Sequence, residues 1–132
     1  MNAVNMLRVA DIIEQEAGCM YNQDRYHHAC GTPACIAGHA VAVLIAEDMG
    51  AVWDDSSVGI KLRSMGENEI AHDAASFLDL NDWQAKHLFK PYPLEEHGMD
   101  VTNTMAAYVV RYAAMTEIVD WTIIKRMNGD TE

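Results

Sequence analysis

Positive charge is scarce in this sequence: nine Lys and Arg stand against twenty Asp and Glu, for a formal net charge of −11. No basic stripe is available to neutralise phosphates, so direct nucleic-acid binding is not expected. A basic protein partner or a cation is the easier electrostatic match, although acidic surfaces also serve solubility. Long apolar runs are missing too. The longest, Ala40 to Ala46, reaches back to Ala34 only through Gly38 and His39 and stops at Glu47-Asp48. That is well short of the roughly 20 residues that a membrane-spanning helix needs. The first residues, Met1 to Arg8, hold no basic region leading into an apolar core, so no export signal is expected. Cysteine is limited to Cys19, Cys30 and Cys35, which cannot all pair within one chain, and reduced thiols in a cytosol follow as the expectation. At 50% hydrophobic and 22% charged residues, the composition excludes disordered, collagen-like and disulfide-scaffold classes. Internal repeats, HExxH, a Gly-rich phosphate loop and GxSxG are all absent.

What the sequence does hold is helical periodicity in a chain of 132 residues, a length that suits one domain. Met6, Val9, Ile13 and Ala17 recur at helical spacing between Asn2 and Ala17, with Gly18 as a stop. A polar loop with aromatic residues, Gly18 to Gly31, is long for a helix connection. Thr32-Pro33 is a helix start, and the helix to about Met49, closed by Gly50, is apolar almost all round. It should therefore be the central helix, surrounded by the others. The alternation Val58, Ile60, Leu62 predicts a short strand or hairpin near 51–62. Asn68 to Asp79 reads as a helix with Ile70, Ala74, Phe77 and Leu78 on one face. Asn81 and Gln84 form a capping box for the next, which ends before Pro91, and the two helices make a hairpin. Thr102 opens a last helical region through Met105, Val109, Tyr112 and Met115, broken near Thr116 before Val119 to Met127. The predicted fold is all-α, an irregular bundle of five or six helices around the central apolar helix, in a single domain over 1–132. Met6, Met105 and Met115 are expected in the core, and Trp53, Trp83 and Trp121 as packing anchors, with partner contact as a second role for Trp53.

One constellation could carry chemistry. His27, His28, Cys30, Cys35 and His39 are soft or borderline metal ligands crowded into a short stretch. Their spacing is not that of a zinc finger or knuckle, since Cys30 and Cys35 flank a helix start and no second CxxC exists. Cys35 and His39 also share a helix face. Placed in the first turn, Cys35 is expected to have a lowered thiol pKa and to pair with the imidazole as a nucleophile. Asp54, Asp55, His97 or Asp100 could then orient the ring. Against both readings stands packing, the commoner fate of buried cysteine and of a lone histidine on an apolar helix. In that case Gly31 and Gly38 permit close backbone approach and His39 bonds a loop carbonyl. The acidic pairs Asp54-Asp55 and Glu95-Glu96 read as solvated surface.

The run Cys30-Gly31-Thr32-Pro33-Ala34-Cys35-Ile36-Ala37-Gly38-His39-Ala40 resembles the CGTxxCIAGxA motif of a family of small proteins encoded by bacteria and their phages. Leu78-Asp79-Leu80, Gln84-Ala85 and Leu88-Phe89 before Pro91 resemble that family's LGLxxxQAxxLFxP stretch. The segment from Thr102 to Val119-Asp120-Trp121 resembles its closing helix and terminal Val-Asp-Trp. The likeness runs from about Cys19 to Trp121. Two departures are Met20-Tyr21-Asn22, without the Trp of the family's aromatic-Asn-Met-x-x-Trp stretch, and Asp79 in place of the Gly of LGL. The resemblance implies a shared helical fold and a phage or bacterial source; the family carries no assigned activity. The leading expectation is a non-enzymatic, cytoplasmic, acidic accessory or protein-interaction domain with no cofactor. It would have an unidentified protein partner and no membrane contact, and a homo-oligomer is compatible with it. The alternatives are a zinc-like metal-binding module built on the cluster 27–39 and a thiol hydrolase or transferase with Cys35 as nucleophile and His39 as base.

Overall fold

A computed structural model describes residues 1–15, 35–53, 55–89 and 101–124. Six helices appear among them: α1 (Ala3–Gln15), α2 (Ile36–Met49), α3 (Ser56–Ser64), α4 (Glu67–Leu78), α5 (Asp82–Phe89) and α6 (Asn103–Thr116), followed by a 3-10 turn at Trp121–Ile123. The fold is all-α, as the periodicity predicts, with no strand among the described residues. None of the helices described is long and apolar enough to cross a membrane.

The centre of the bundle is α2. Ile36 through Val43, Ile45 and Ala46 are all buried, which accounts for an apolar character on every side. It packs against α1, α3, α4 and α5. Gly50 closes it at φ 64, in the left-handed region that glycine enters without strain, and its amide bonds back to the carbonyls of Ala46 and Glu47. The start expected at Thr32-Pro33 lies outside the described residues, which show Cys35 as the capping residue and Ile36 as the first helical one.

α6 lies chiefly along α1, and polar groups fix how the two meet. The Asn103 amide donates to the carbonyls of Ile13 and Glu14 at 3.2 Å each, supplying partners that the end of α1 would otherwise lack. Arg111 reaches Asp11 at 2.7 Å and Glu14 at 2.7 Å. The start of α1 is fastened in the same way to the end of α4. There the Asn2 amide donates to the Leu78 carbonyl and the Asn5 side chain to the Phe77 carbonyl, both at 2.8 Å.

Three expectations are corrected. The strand or hairpin near 51–62 is helix α3: Asp55 caps it by accepting the Ser57 amide, and Val58 and Leu62, one helical turn apart, are buried while Ile60 between them is 60% exposed. Met115 is 80% exposed, because the buried stripe of α6 runs through Asn103, Ala106, Ala107, Val109, Val110 and Ala113. Met105 is only half-buried. Trp83 is 57% exposed and anchors no core, whereas Trp121 is buried and its indole N–H donates to the His87 carbonyl at 2.8 Å. The capping box stands, with the Asn81 amide donating to Gln84 at 3.0 Å and the Gln84 amide to Asn81 at 2.8 Å. So does the break after Thr116. Beyond it, helical structure is described only through Ile124, and the expected continuation to Met127 lies outside the described residues.

Candidate functional site

Of the five residues in the Cys/His cluster, Cys35 and His39 are described; His27, His28 and Cys30 lie outside the described residues. Cys35 has extended backbone (φ −107, ψ −177) and occupies the capping position of α2, not its first turn. Its carbonyl still accepts the first helical hydrogen bond, from the His39 amide at 3.0 Å. The same carbonyl takes a second bond from the ring of His39, whose Nδ1 lies 2.7 Å away. A carbonyl can only accept, so Nδ1 carries the proton and the lone pair of the neutral ring is on Nε2. Among the described residues, then, the carbonyl that His39 bonds belongs to its own helix cap. Trp53, half-buried, tilts its ring at 41° against the imidazole with centroids 5.8 Å apart.

Burial decides the chemistry of this pair. Cys35 is 3% exposed and His39 0%. Loss of solvent pushes the Cys35 thiol up to about 11, and the amides of Gly38 and Ala37, which favour the thiolate, do not outweigh it. The expected lowering of this thiol is thereby overturned: a helix start favours negative charge only if the site pays little for desolvation. What remains is a buried thiol whose protonated form is favoured, and an imidazole held by the backbone carbonyl of the same residue.

Of the residues considered as a third member, only Asp55 is described. Asp55 is engaged as the cap of α3, accepting from the Ser57 amide at 2.8 Å and hydroxyl at 2.7 Å, and these bonds hold its carboxyl below the usual range. Asp54, His97 and Asp100, and the pair Glu95-Glu96, lie outside the described residues. Among the described residues, no group of three or more His, Cys, Asp or Glu is placed to hold a metal ion.

A second histidine pair went unrecognised in the sequence. Trp83 and His87 on α5 are again four residues apart, and the His87 ring donates through Nδ1 to the Trp83 carbonyl at 2.7 Å. Their rings stack, 4.1 Å between centroids and 19° between planes. The available signal was position: the inward residue Leu88 and the half-buried Gln84 and Ala85 leave Trp83 off the buried face of a short helix. No protein-family model, curated protein or solved structure matches this chain.

Proposed function

We propose that this chain is a non-enzymatic accessory domain that acts by binding another protein in the cytoplasm of a bacterium or a phage-infected cell. One observation carries the reading: the described pair with chemical potential is sealed, Cys35 at 3% and His39 at 0% exposure, while Trp83 stands 57% exposed. A nucleophile must be reachable, and the attacking species is the thiolate, which the raised pKa of Cys35 disfavours. Exposed Trp, in contrast, is the residue type that most often anchors an interface. The source rests on the likeness of Cys30 to Ala40 to the small bacterial and phage proteins. The metal-binding alternative needs a thiolate at Cys35, which burial opposes unless a cation sits beside it.

The test is alkylation of the native chain with iodoacetamide, mapped by peptide mass spectrometry so that Cys35 is read apart from Cys19 and Cys30, alongside elemental analysis. Cys35 should stay unmodified until denaturant is added, with no stoichiometric metal. Native-state reaction faster than a model thiol would point instead to a thiol enzyme. About one equivalent of zinc that disappears in Cys35→Ala would point to the metal module.

A further inference from the structure

The exposed ring of Trp83 is stacked on a neighbour that is itself tethered. Its one face lies against His87, whose own ring is tied to the Trp83 carbonyl at 2.7 Å. The His87 carbonyl in turn accepts the buried Trp121 indole N–H at 2.8 Å, and Leu88 beside it is fully buried. A side chain fixed in this way loses little freedom on binding. The residue nevertheless keeps 57% of its surface exposed.

The sequence leading into Trp83 is predominantly acidic. From Glu67 to Phe89 there are five carboxylates, Glu67, Glu69, Asp73, Asp79 and Asp82, and a single lysine, Lys86. Asp82 directly precedes Trp83, and the Asp79 side chain, in the connection leading into α5, is 81% exposed, with one carboxylate oxygen 3.4 Å from the N-terminal amine. Anionic partners are repelled from such a surface and cationic ones drawn to it. Among cations, a guanidinium matches both features at once, because it stacks on an indole face and pairs with carboxylates through a planar fork. An ammonium can do the second but gains less from the ring.

Building on the protein-binding reading above, we infer that Trp83, with Asp79 and Asp82 beside it, is the docking point for an arginine-bearing segment of a partner protein. Lys86, three residues on, is the cation one helical turn from Trp83.

The probe is the capped peptide Gly-Arg-Gly-Arg-Gly, with its Lys and Glu counterparts, titrated at low ionic strength into the full-length, 15N-labelled chain. The Arg peptide should shift the Trp83 indole N–H signal, the Lys peptide should shift it less and the Glu peptide should leave it in place. Trp83→Ala should weaken Arg-peptide binding about fivefold, and Asp82→Asn about two- to threefold. Both positions are exposed, so both variants should melt close to the parent protein. Binding undiminished in Trp83→Ala, equal response to the Lys peptide, or no binding at millimolar peptide would each overturn the assignment. None of these outcomes touches the protection of Cys35, whose native-state reaction is what would overturn the protein-binding reading itself.

Discussion

Cys35-His39 on α2 and Trp83-His87 on α5 are built alike and placed oppositely. In each pair the histidine sits four residues on and donates from Nδ1 to the earlier residue's carbonyl, at 2.7 Å in both. The first pair is closed inside the central helix, with His39 at 0% exposure; the second carries an indole 57% in solvent. The histidine-to-carbonyl bond is thus the same, and surroundings separate a packing element from a binding one. Chemistry-bearing residue types and a shared helix face are insufficient evidence for reactivity, because desolvation sets whether the charged form is reachable.

Removing each imidazole is the strongest test of that contrast. His39→Ala leaves a cavity in close-packed surroundings and should cost about 2–4 kcal/mol, lowering the melting temperature by about 10 °C. His87→Ala should stay within about 0.5 kcal/mol of the parent, since lost stacking is offset by the better helix propensity of alanine. Calorimetry on both variants checks this, and comparable destabilisation in the two would erase the distinction.

The buried pair also predicts a pH dependence. A thiol whose pKa is raised to about 11 in the folded chain, from 9.0, favours folding below pH 9, and that advantage is lost as pH rises through 11. The sign follows because the unfolded state releases its proton first. Two pKa units correspond to about 3 kcal/mol across that window. Urea titrations at pH 8, 9.5 and 11 should show a stability loss that is smaller in Cys35→Ala, since other groups titrating there are common to both proteins. The same displacement makes native-state alkylation of Cys35 about 100-fold slower than that of a model thiol from thiolate fraction alone. A pH profile shared by parent and variant would mean that Cys35 ionises freely.

How far these features were legible in the sequence depended on how much each relied on depth. α2 was readable because an apolar character on all sides has one common meaning, and α5 because Asn81 and Gln84 form a local, reciprocal pair. α3 is ambiguous from its apolar residues alone: Val58 and Leu62 are compatible with both a two-residue and a four-residue period, and the cap at Asp55 decides between them. On α6 the large residues Met105, Tyr112 and Met115 were weighted above Ala106, Ala107 and Ala113, although small residues are what allow a helix to lie close against α1. The direction of the Cys35 shift is not legible in the sequence, which reveals proximity to a helix start but not loss of solvent. Trp83-His87 was missed because its meaning lies in which face of α5 turns inward.

The exposed pair is bonded to a buried neighbour, and Trp121→Phe separates the two. The ring volume is largely kept, while the His87 carbonyl loses the donor it has at 2.8 Å. A cost of about 1–2 kcal/mol is expected, made up of one hydrogen bond and a partly unsatisfied acceptor. If the stack depends on that tether, the Trp83 indole signal should broaden or move in this variant, and the signals of α2 should not. Movement confined to α2 would mean that Trp121 serves the core alone.

The smallest effect expected concerns the connection that carries Trp83, and it has the opposite sign. Asp79 closes α4 at φ 54, a left-handed conformation in which a side chain is strained, and it places a negative charge at the carbonyl end of a helix. Asp79→Gly relieves both penalties, at the loss of an exposed ion pair with the N-terminal amine at 3.4 Å, which contributes little. A gain of about 0.5–1 kcal/mol is expected, seen as a melting temperature higher by a few degrees. In the peptide titration the same variant should bind the Arg probe more weakly than the parent, because a carboxylate of the docking point is gone. Higher stability with reduced binding would show that this turn gives up some stability to keep a charge near Trp83; higher stability with unchanged binding would confine the docking point to Trp83 and Asp82.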